Sequence, residues 1–328
     1  MSGLLDAALA NLLSPAILSF LLGTFAGAVR SDLDIPEPIA KALAIYLVFA
    51  IGLKGGVSLV ASGDVAGLVP AILAGIALSF ALPVLAFALL RATSRLAGVD
   101  AAATAAHYGS VSIVTFVAAS QFLQGRGVPV EGFMTAVVAV METPAIVTGL
   151  LLARRSDPKG AASSGPGGGL VHEVLLNGSV VLLLGAFLIG ALTGEAGQER
   201  VAGFFVTPFQ GVLCLFLLEM GLVVARRLRA TRRLEPALLA FGVYMPFLGA
   251  AAGLFAGWLI GLSTGGVAML ATLSASASYI AVPAAMRLAL PRADPAVSLT
   301  LALAITFPVN VVAGLPLSLA AAQWLAGG

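Results

Sequence analysis

Two stretches half a chain apart carry one pattern. Ser110-Val-Ser112-Ile-Val-Thr-Phe-Val-Ala-Ala119 is answered by Ser276-Ala-Ser278-Tyr-Ile-Ala-Val-Pro-Ala-Ala285. Each is a short polar interruption inside a long apolar run. Of the 328 residues, 60% are hydrophobic and only 10% are charged, where soluble domains carry roughly 25% charged residues. The apolar residues fall in continuous blocks, not in stripes along one helix face, so the chain reads as an all-α polytopic membrane protein. A polar break inside lipid is tolerated only where it is buried in protein or lines a cavity. Paired breaks at matching places in two halves mark the binding site in many secondary transporters.

Ten spans are expected, at about 12–29, 38–61, 66–90, 100–124, 131–153, 173–193, 203–224, 236–260, 265–288 and 294–324. Most are long enough to cross an apolar layer of ~30 Å at ~1.5 Å per residue. The one long connection, 154–172, contains Ser163-Ser-Gly-Pro-Gly-Gly-Gly169, a flexible linker composition. It divides the chain into a first five-helix repeat, 1–153, and a second, 173–328. Phe20-Leu-Leu-Gly23 resembles Leu182-Leu-Leu-Gly185, Ile51-Gly-Leu53 resembles Met220-Gly-Leu222, and Glu142-Thr-Pro144 falls where Thr306-Phe-Pro308 falls. Five spans is an odd number, so the second copy is expected upside down relative to the first.

The basic residues support that topology. Alternating loops place 14 of the 17 Lys and Arg residues on one side, among them Arg91, Arg154, Arg226 and Arg292, and only Arg126 and Arg200 on the other. The positive-inside rule makes the first side cytoplasmic, the linker with it, and both termini extracytoplasmic. The first ten residues hold no Lys or Arg and include Asp6, so no cleavable signal is expected. Cys214 is the one cysteine, which excludes an internal disulfide. Trp258 and Trp324 read as interface anchors, and Gly249, Gly253 and Gly257 as a helix-packing stripe.

Four spans put polar groups near mid-depth: Ser112, Ser278, Glu142 and Asn310. Pro144 and Pro308 loosen their spans at the same level by removing a backbone donor. A carboxylate at this depth costs roughly 2.5–3.5 kcal/mol on insertion scales, so Glu142 reads as a Na⁺ or H⁺ ligand, or else as a structural carboxyl bonded to a neighbouring helix. If the spans break at the serines, the amides of Val111, Ser112, Ile113, Ala277, Ser278 and Tyr279 become free to hold a small anion. Carbonyl ends at the same breaks suit Na⁺. Lys54 either draws anions into an outer vestibule or snorkels to the interface, and Glu219 is expected near Arg226 and Arg227. His107 and Ser110 lie close enough to touch, but no acid orients them and no nucleophile elbow surrounds the serine, so no enzyme is expected.

Ser31-Asp-Leu-Asp-Ile-Pro-Glu-Pro-Ile39, Ile51-Gly-Leu-Lys-Gly-Gly56, Gly109-Ser-Val-Ser112, Met141-Glu-Thr-Pro-Ala145 and Ser276-Ala-Ser-Tyr-Ile-Ala-Val-Pro283 together resemble the SbtA family of sodium-dependent bicarbonate transporters, across essentially the whole chain. The resemblance implies an inverted five-plus-five repeat in a bacterial plasma membrane. It implies a homotrimer, with a gate domain from segments 1, 2, 6 and 7 and a core domain from segments 3–5 and 8–10. Substrate is implied at the crossing of segments 4 and 9, and a PII-like regulator on the cytoplasmic face. Cyanobacterial members carry Asp at the positions of Tyr279 and Glu142, and a longer central loop.

The expected activity is Na⁺-coupled uptake of a small monovalent anion, bicarbonate first, by elevator-type movement. No organic cofactor and no nucleic acid are implied; Na⁺ is the coupling ion. Gly109, Ser110, Val111, Ser112, Ser276, Ala277, Ser278 and Tyr279 are the expected anion site. Glu142, Thr143, Thr306 and Asn310 are expected to bind Na⁺ or to hold the crossing. Two alternatives stand beside this: a Na⁺-coupled symporter for an organic anion, and an anion sensor that does not transport.

Overall fold

A computed structural model describes residues 14–62, 67–156, 178–230, 234–279, 282, 283, 285, 286, 290 and 292–327. Most of the expected linker and much of segment 9 beyond Tyr279 lie outside the described residues. So do the basic residues Lys159, Arg232, Arg233 and Arg287.

The helices are α1 (Pro15–Ala28), α2 (Glu37–Ser62), α3 (Leu68–Thr93), α4 (Gly98–His107), α5 (Ile113–Gln124), α6 (Met134–Ser156), α7 (Gly178–Phe205), α8 (Phe209–Ala230), α9 (Pro236–Leu259), α10 (Thr264–Ala275) and α11 (Pro295–Gly327). No strand occurs among the described residues. Seven of these helices are long and apolar enough to cross a membrane: α2, α3, α6, α7, α8, α9 and α11. Three shorter apolar helices, α1, α5 and α10, belong to the expected first, fourth and ninth spans. Expected segment 4 is thus two helices, α4 and α5, separated by Tyr108–Ser112.

Capping residues set several starts. Ser14 accepts from the Ile17 amide with Pro15 at the first helical position, and Ser263 accepts from the Gly266 amide at 3.1 Å. Asp294 does the same for Ala296 at 2.8 Å, again followed by Pro. Segment 6 ends near 193 as expected, but a second helical piece follows it to Phe205. Gly194, at φ 61 and ψ −159, splits that run into two pieces. Only glycine takes this backbone angle without strain. The polar sequence Glu195–Arg200 therefore lies in a second helical piece and not in a loop.

The tightest packing is between α1 and α8 and between α2 and α7. Both contacts are backbone on backbone through glycine. A Cβ on Gly23 would fall on the Leu218 carbonyl, and one on Gly221 on the Phe20 carbonyl. Gly52 and Gly56 meet the Leu183 and Phe187 carbonyls, and Gly190 meets that of Leu53. Residue numbers rise together along each contact, so α1 runs parallel to α8 and α2 parallel to α7. Elsewhere α6 packs on α3 and α4, and α10 on α9 and α11. The Gly249–Gly253–Gly257 stripe takes the α10 backbone at Ser274 and Leu270 and the side of Val267.

Glu219 is buried on α8, and its Oε2 has no hydrogen-bond partner among the described residues. Arg226 lies near it, as expected, and pairs with Asp34 at 2.5 Å.

Candidate functional site

The two interruptions meet and are stitched together. After α4 the amides of Tyr108, Gly109 and Ser110 turn back onto Ala105 and Ala106 carbonyls at 3.0–3.4 Å. Gly109 is required there, because a Cβ would strike the Pro83 ring of α3. Ser112 is extended (φ −96, ψ 112) and caps α5, its Oγ accepting from the Thr115 amide at 3.2 Å. On the other side α10 stops at Ala275, and Ser276 is extended (φ −79, ψ 161).

Four bonds hold the crossing. The Ser112 amide donates to Ser276 Oγ at 2.9 Å, and Ser276 Oγ donates to the Leu273 carbonyl at 2.7 Å. The Ser278 amide donates to the His107 carbonyl at 2.8 Å. His107 Nδ1 donates to the Ser278 carbonyl at 2.5 Å, which places the ring proton on Nδ1. The segments thus pass antiparallel, and Ser110, Ser112, Ser276 and Ser278 are each at most 3% exposed. The expectation of six free amides is corrected at two: Ser112 and Ser278 give theirs to the opposite segment. A buried N–H away from water needs a partner, and the other break is the nearest one.

The stitching is not symmetric. Ser276 Oγ both donates and accepts inside the crossing, whereas its counterpart Ser110 Oγ is buried with no hydrogen-bond partner among the described residues. His107 is used by Ser278, so the adjacent His107 and Ser110 form no nucleophile–base pair.

Prolines in the flanking helices release carbonyls that side chains then take up. Pro246 in α9 has no N–H for the Gly242 carbonyl, and Thr306 Oγ1 donates to it at 2.8 Å. With its proton so used, Thr306 accepts from the Tyr108 hydroxyl at 2.9 Å. Asn310 Nδ2 closes the end of α10 by donating to the Ala275 carbonyl at 2.8 Å. Thr306 and Asn310 therefore brace the crossing. Both lie where α11 widens to π-helical turns, Thr300–Thr306 and Asn310–Gly314.

In the first half, Ser79 of α3 inserts its hydroxyl into the gap that Pro144 opens in α6. It donates to the Met141 carbonyl at 2.5 Å and accepts from the Ala145 amide at 3.2 Å. Glu142 sits in that same turn, 3% exposed, its Oε2 without a partner among the described residues. Thr143 is half-buried beside it. Ser79 and His107 are the residues that sequence reasoning missed. Leu78-Ser-Phe-Ala-Leu-Pro83 and Phe241-Gly-Val-Tyr-Met-Pro246 place a proline four residues after Ser79 and Gly242, which marks freed carbonyls but not where the Ser79 hydroxyl reaches.

Tyr279 packs its ring edge-on against Phe307, centroids 6.0 Å apart, and Phe307 packs likewise on Phe20 of α1 at 5.6 Å. Its hydroxyl faces Ser112 without forming a well-directed hydrogen bond. An aromatic chain thus runs from the crossing to α1.

His107→Leu is expected to keep the bulk but leave the Ser278 carbonyl unpaired. Such a loss costs about 1–3 kcal/mol. A melting temperature lowered in detergent, with the same oligomer on size exclusion, is the expected result.

A search of curated proteins returned no match. The family description "Na+-dependent bicarbonate transporter superfamily" matches residues 15–323, from the first residue of α1 to near the end of α11. The match takes in both interruptions and every bracing residue around them, and the chain belongs to the Na⁺-dependent bicarbonate transporter superfamily.

Proposed function

We propose that this protein is a secondary transporter that carries bicarbonate and Na⁺ together into a bacterial cell. The observation that supports the reading is the sealed crossing of two broken segments with buried hydroxyls, those of Ser110, Ser274 and Tyr279, left without a partner among the described residues. The anion lies between Gly109–Ser112 and Ser276–Tyr279, held by Ser110 Oγ and by the amides the crossing does not use. Na⁺ lies beside Glu142 and Thr143, where the buried carboxylate offsets it, and Thr306 and Asn310 keep the crossing in shape. Together the two ions present little net charge to a low-dielectric interior, which favours coupled over separate passage.

The halves 1–153 and 173–328 act as inverted repeats joined by a cytoplasmic linker, with both termini outside. The parallel runs of α1 with α8 and α2 with α7 support this, since they set α7 against the direction of α1. Those four helices form the gate, and α3–α6 with α9–α11 form the core that slides past it with the ions aboard. A trimer through the gate helices and a PII-like regulator on the basic face complete the proposal.

Radiolabelled bicarbonate uptake into proteoliposomes, with and without an inward Na⁺ gradient, tests it. Uptake that follows the gradient and counterflows is expected. Uptake of an organic anion alone supports the organic-anion alternative, and binding without counterflow supports a sensor. Glu142→Gln removes the carboxylate but keeps the shape. It is expected to raise the Na⁺ concentration for half-maximal uptake at least tenfold, with an unchanged size-exclusion profile. Unaltered Na⁺ dependence would move the ion site away from Glu142.

A further inference from the structure

A crevice of about 710 Å³ opens between α2, α5, the start of α6 and the junction of α7 with α8. Its polar lining includes Lys54, Ser58, Ser120, Gln121, Gln124 and Gln210. Lys54 and Glu131 are its ionisable side chains, and they are not equivalent. Glu131 is committed elsewhere: its Oε1 accepts from the Ser263 amide at 2.8 Å, and its carboxylate packs over Gly266 at the N-terminus of α10. That helix end supplies partial positive charge and offsets the carboxylate. Lys54 has no carboxylate partner among the described residues. Its Nζ donates to the neutral Gln124 Oε1 at 2.8 Å, and the side chain stays exposed. An ammonium has two further protons to give. The two formal charges of the crevice cancel, but the Lys54 ammonium keeps protons free for an anion while the Glu131 carboxylate faces the start of α10.

The crevice also leads somewhere. It follows α5 from Gln124 past Gln121 and Ser120 to Phe116, whose amide bonds to the carbonyl of Ser112. Its floor thus lies one helical turn from the crossing.

We propose that this crevice is an anion antechamber, with a weak oxyanion subsite at the Lys54 ammonium beside Gln124, from which the anion is handed along α5 to the Ser110–Ser112 break. The proposal rests on the transport reading above and adds a separate, upstream site to it. A single cation in a cleft with low-dielectric walls raises the local anion concentration and the capture rate, and salt screens the effect.

The test uses Lys54→Gln, Lys54→Arg and Lys54→Glu in proteoliposomes, with bicarbonate KM and kcat measured at low and at physiological ionic strength. Lys54→Gln is expected to raise KM about three- to tenfold at low salt, with kcat within about twofold. The salt dependence of KM should largely vanish in it. Lys54→Arg should behave as wild type, and Lys54→Glu should be worse than Lys54→Gln. A fall in kcat with KM and its salt dependence unchanged would make Lys54 only a tie between α2 and α5, and would overturn the subsite. A second measurement does not need transport. Bicarbonate, but not chloride at equal ionic strength, should slow modification of Lys54 by an amine-reactive reagent in the detergent-purified protein. Protection in a preparation that fails to transport keeps the antechamber and sinks the transport reading; transport without protection does the reverse.

Discussion

Leucine in place of Ser112 or Ser278 is expected to abolish Na⁺-driven bicarbonate uptake, while both variants still elute as wild type on size exclusion. Each serine is buried within the crossing, and the bulkier branched side chain has nowhere to go but the space between the two segments. The backbone bonds to Ser276 Oγ and the His107 carbonyl come from main-chain amides and survive the change. Ser278→Leu with full uptake would show that the anion does not lie between the breaks. The asymmetry at the paired serines sharpens the test. Ser276→Ala deletes the acceptor of the Ser112 amide and should cost about 1–3 kcal/mol of stability. Ser110→Ala deletes a buried hydroxyl that has no partner among the described residues, so stability should hold or rise while anion affinity falls a few-fold. Equal stability losses in the two alanine variants would refute a ligand role for Ser110.

Gly23→Val is expected to remove the folded protein altogether. The new Cβ would occupy the position of the Leu218 carbonyl on α8, which is backbone and cannot turn aside. Seating it means parting α1 from α8 along their whole contact, at about 3 kcal/mol or more. Gly185→Val is the matched control, because Gly185 holds the corresponding place in the second half and nothing lies within 4 Å of an added Cβ. Membrane yield and the monodisperse fraction read the difference. Comparable losses in both variants would mean that helix propensity, and not the close approach, sets the outcome.

Apolar run length is a strong signal, and the helices α2, α3, α6, α9 and α11 lie within a few residues of where it puts them, while α8 at Phe209–Ala230 is shifted from the expected 203–224. The Tyr108–Ser112 interruption was also legible, because hydroxyls, a glycine and a short polar run stand out against that background. The second helical piece after Gly194 was not, since charged residues in a chain of this kind read as loop even inside a helix. What joins the breaks was illegible for a different reason. His107 finds Ser278 only once α4 and α10 cross, and a histidine alone in an apolar run carries no mark of a partner 171 residues away. Ser79 shows the same limit: a serine in a membrane helix usually bonds its own preceding turn, whereas this one repairs the kink of another helix.

The crossing also bears on how the chain is made. Ser112 meets Ser276 across 164 residues, and His107 meets Ser278 across 171. Synthesis runs from the N-terminus at roughly 5–20 residues per second. The first interruption is therefore laid into the bilayer many seconds before the second leaves the ribosome. Throughout that interval the Ser112 amide has no Ser276 to reach. The nascent first half carries an open backbone in a solvent that cannot satisfy it, and water, the insertion machinery or a neighbouring helix has to shelter it until the last third of the chain arrives.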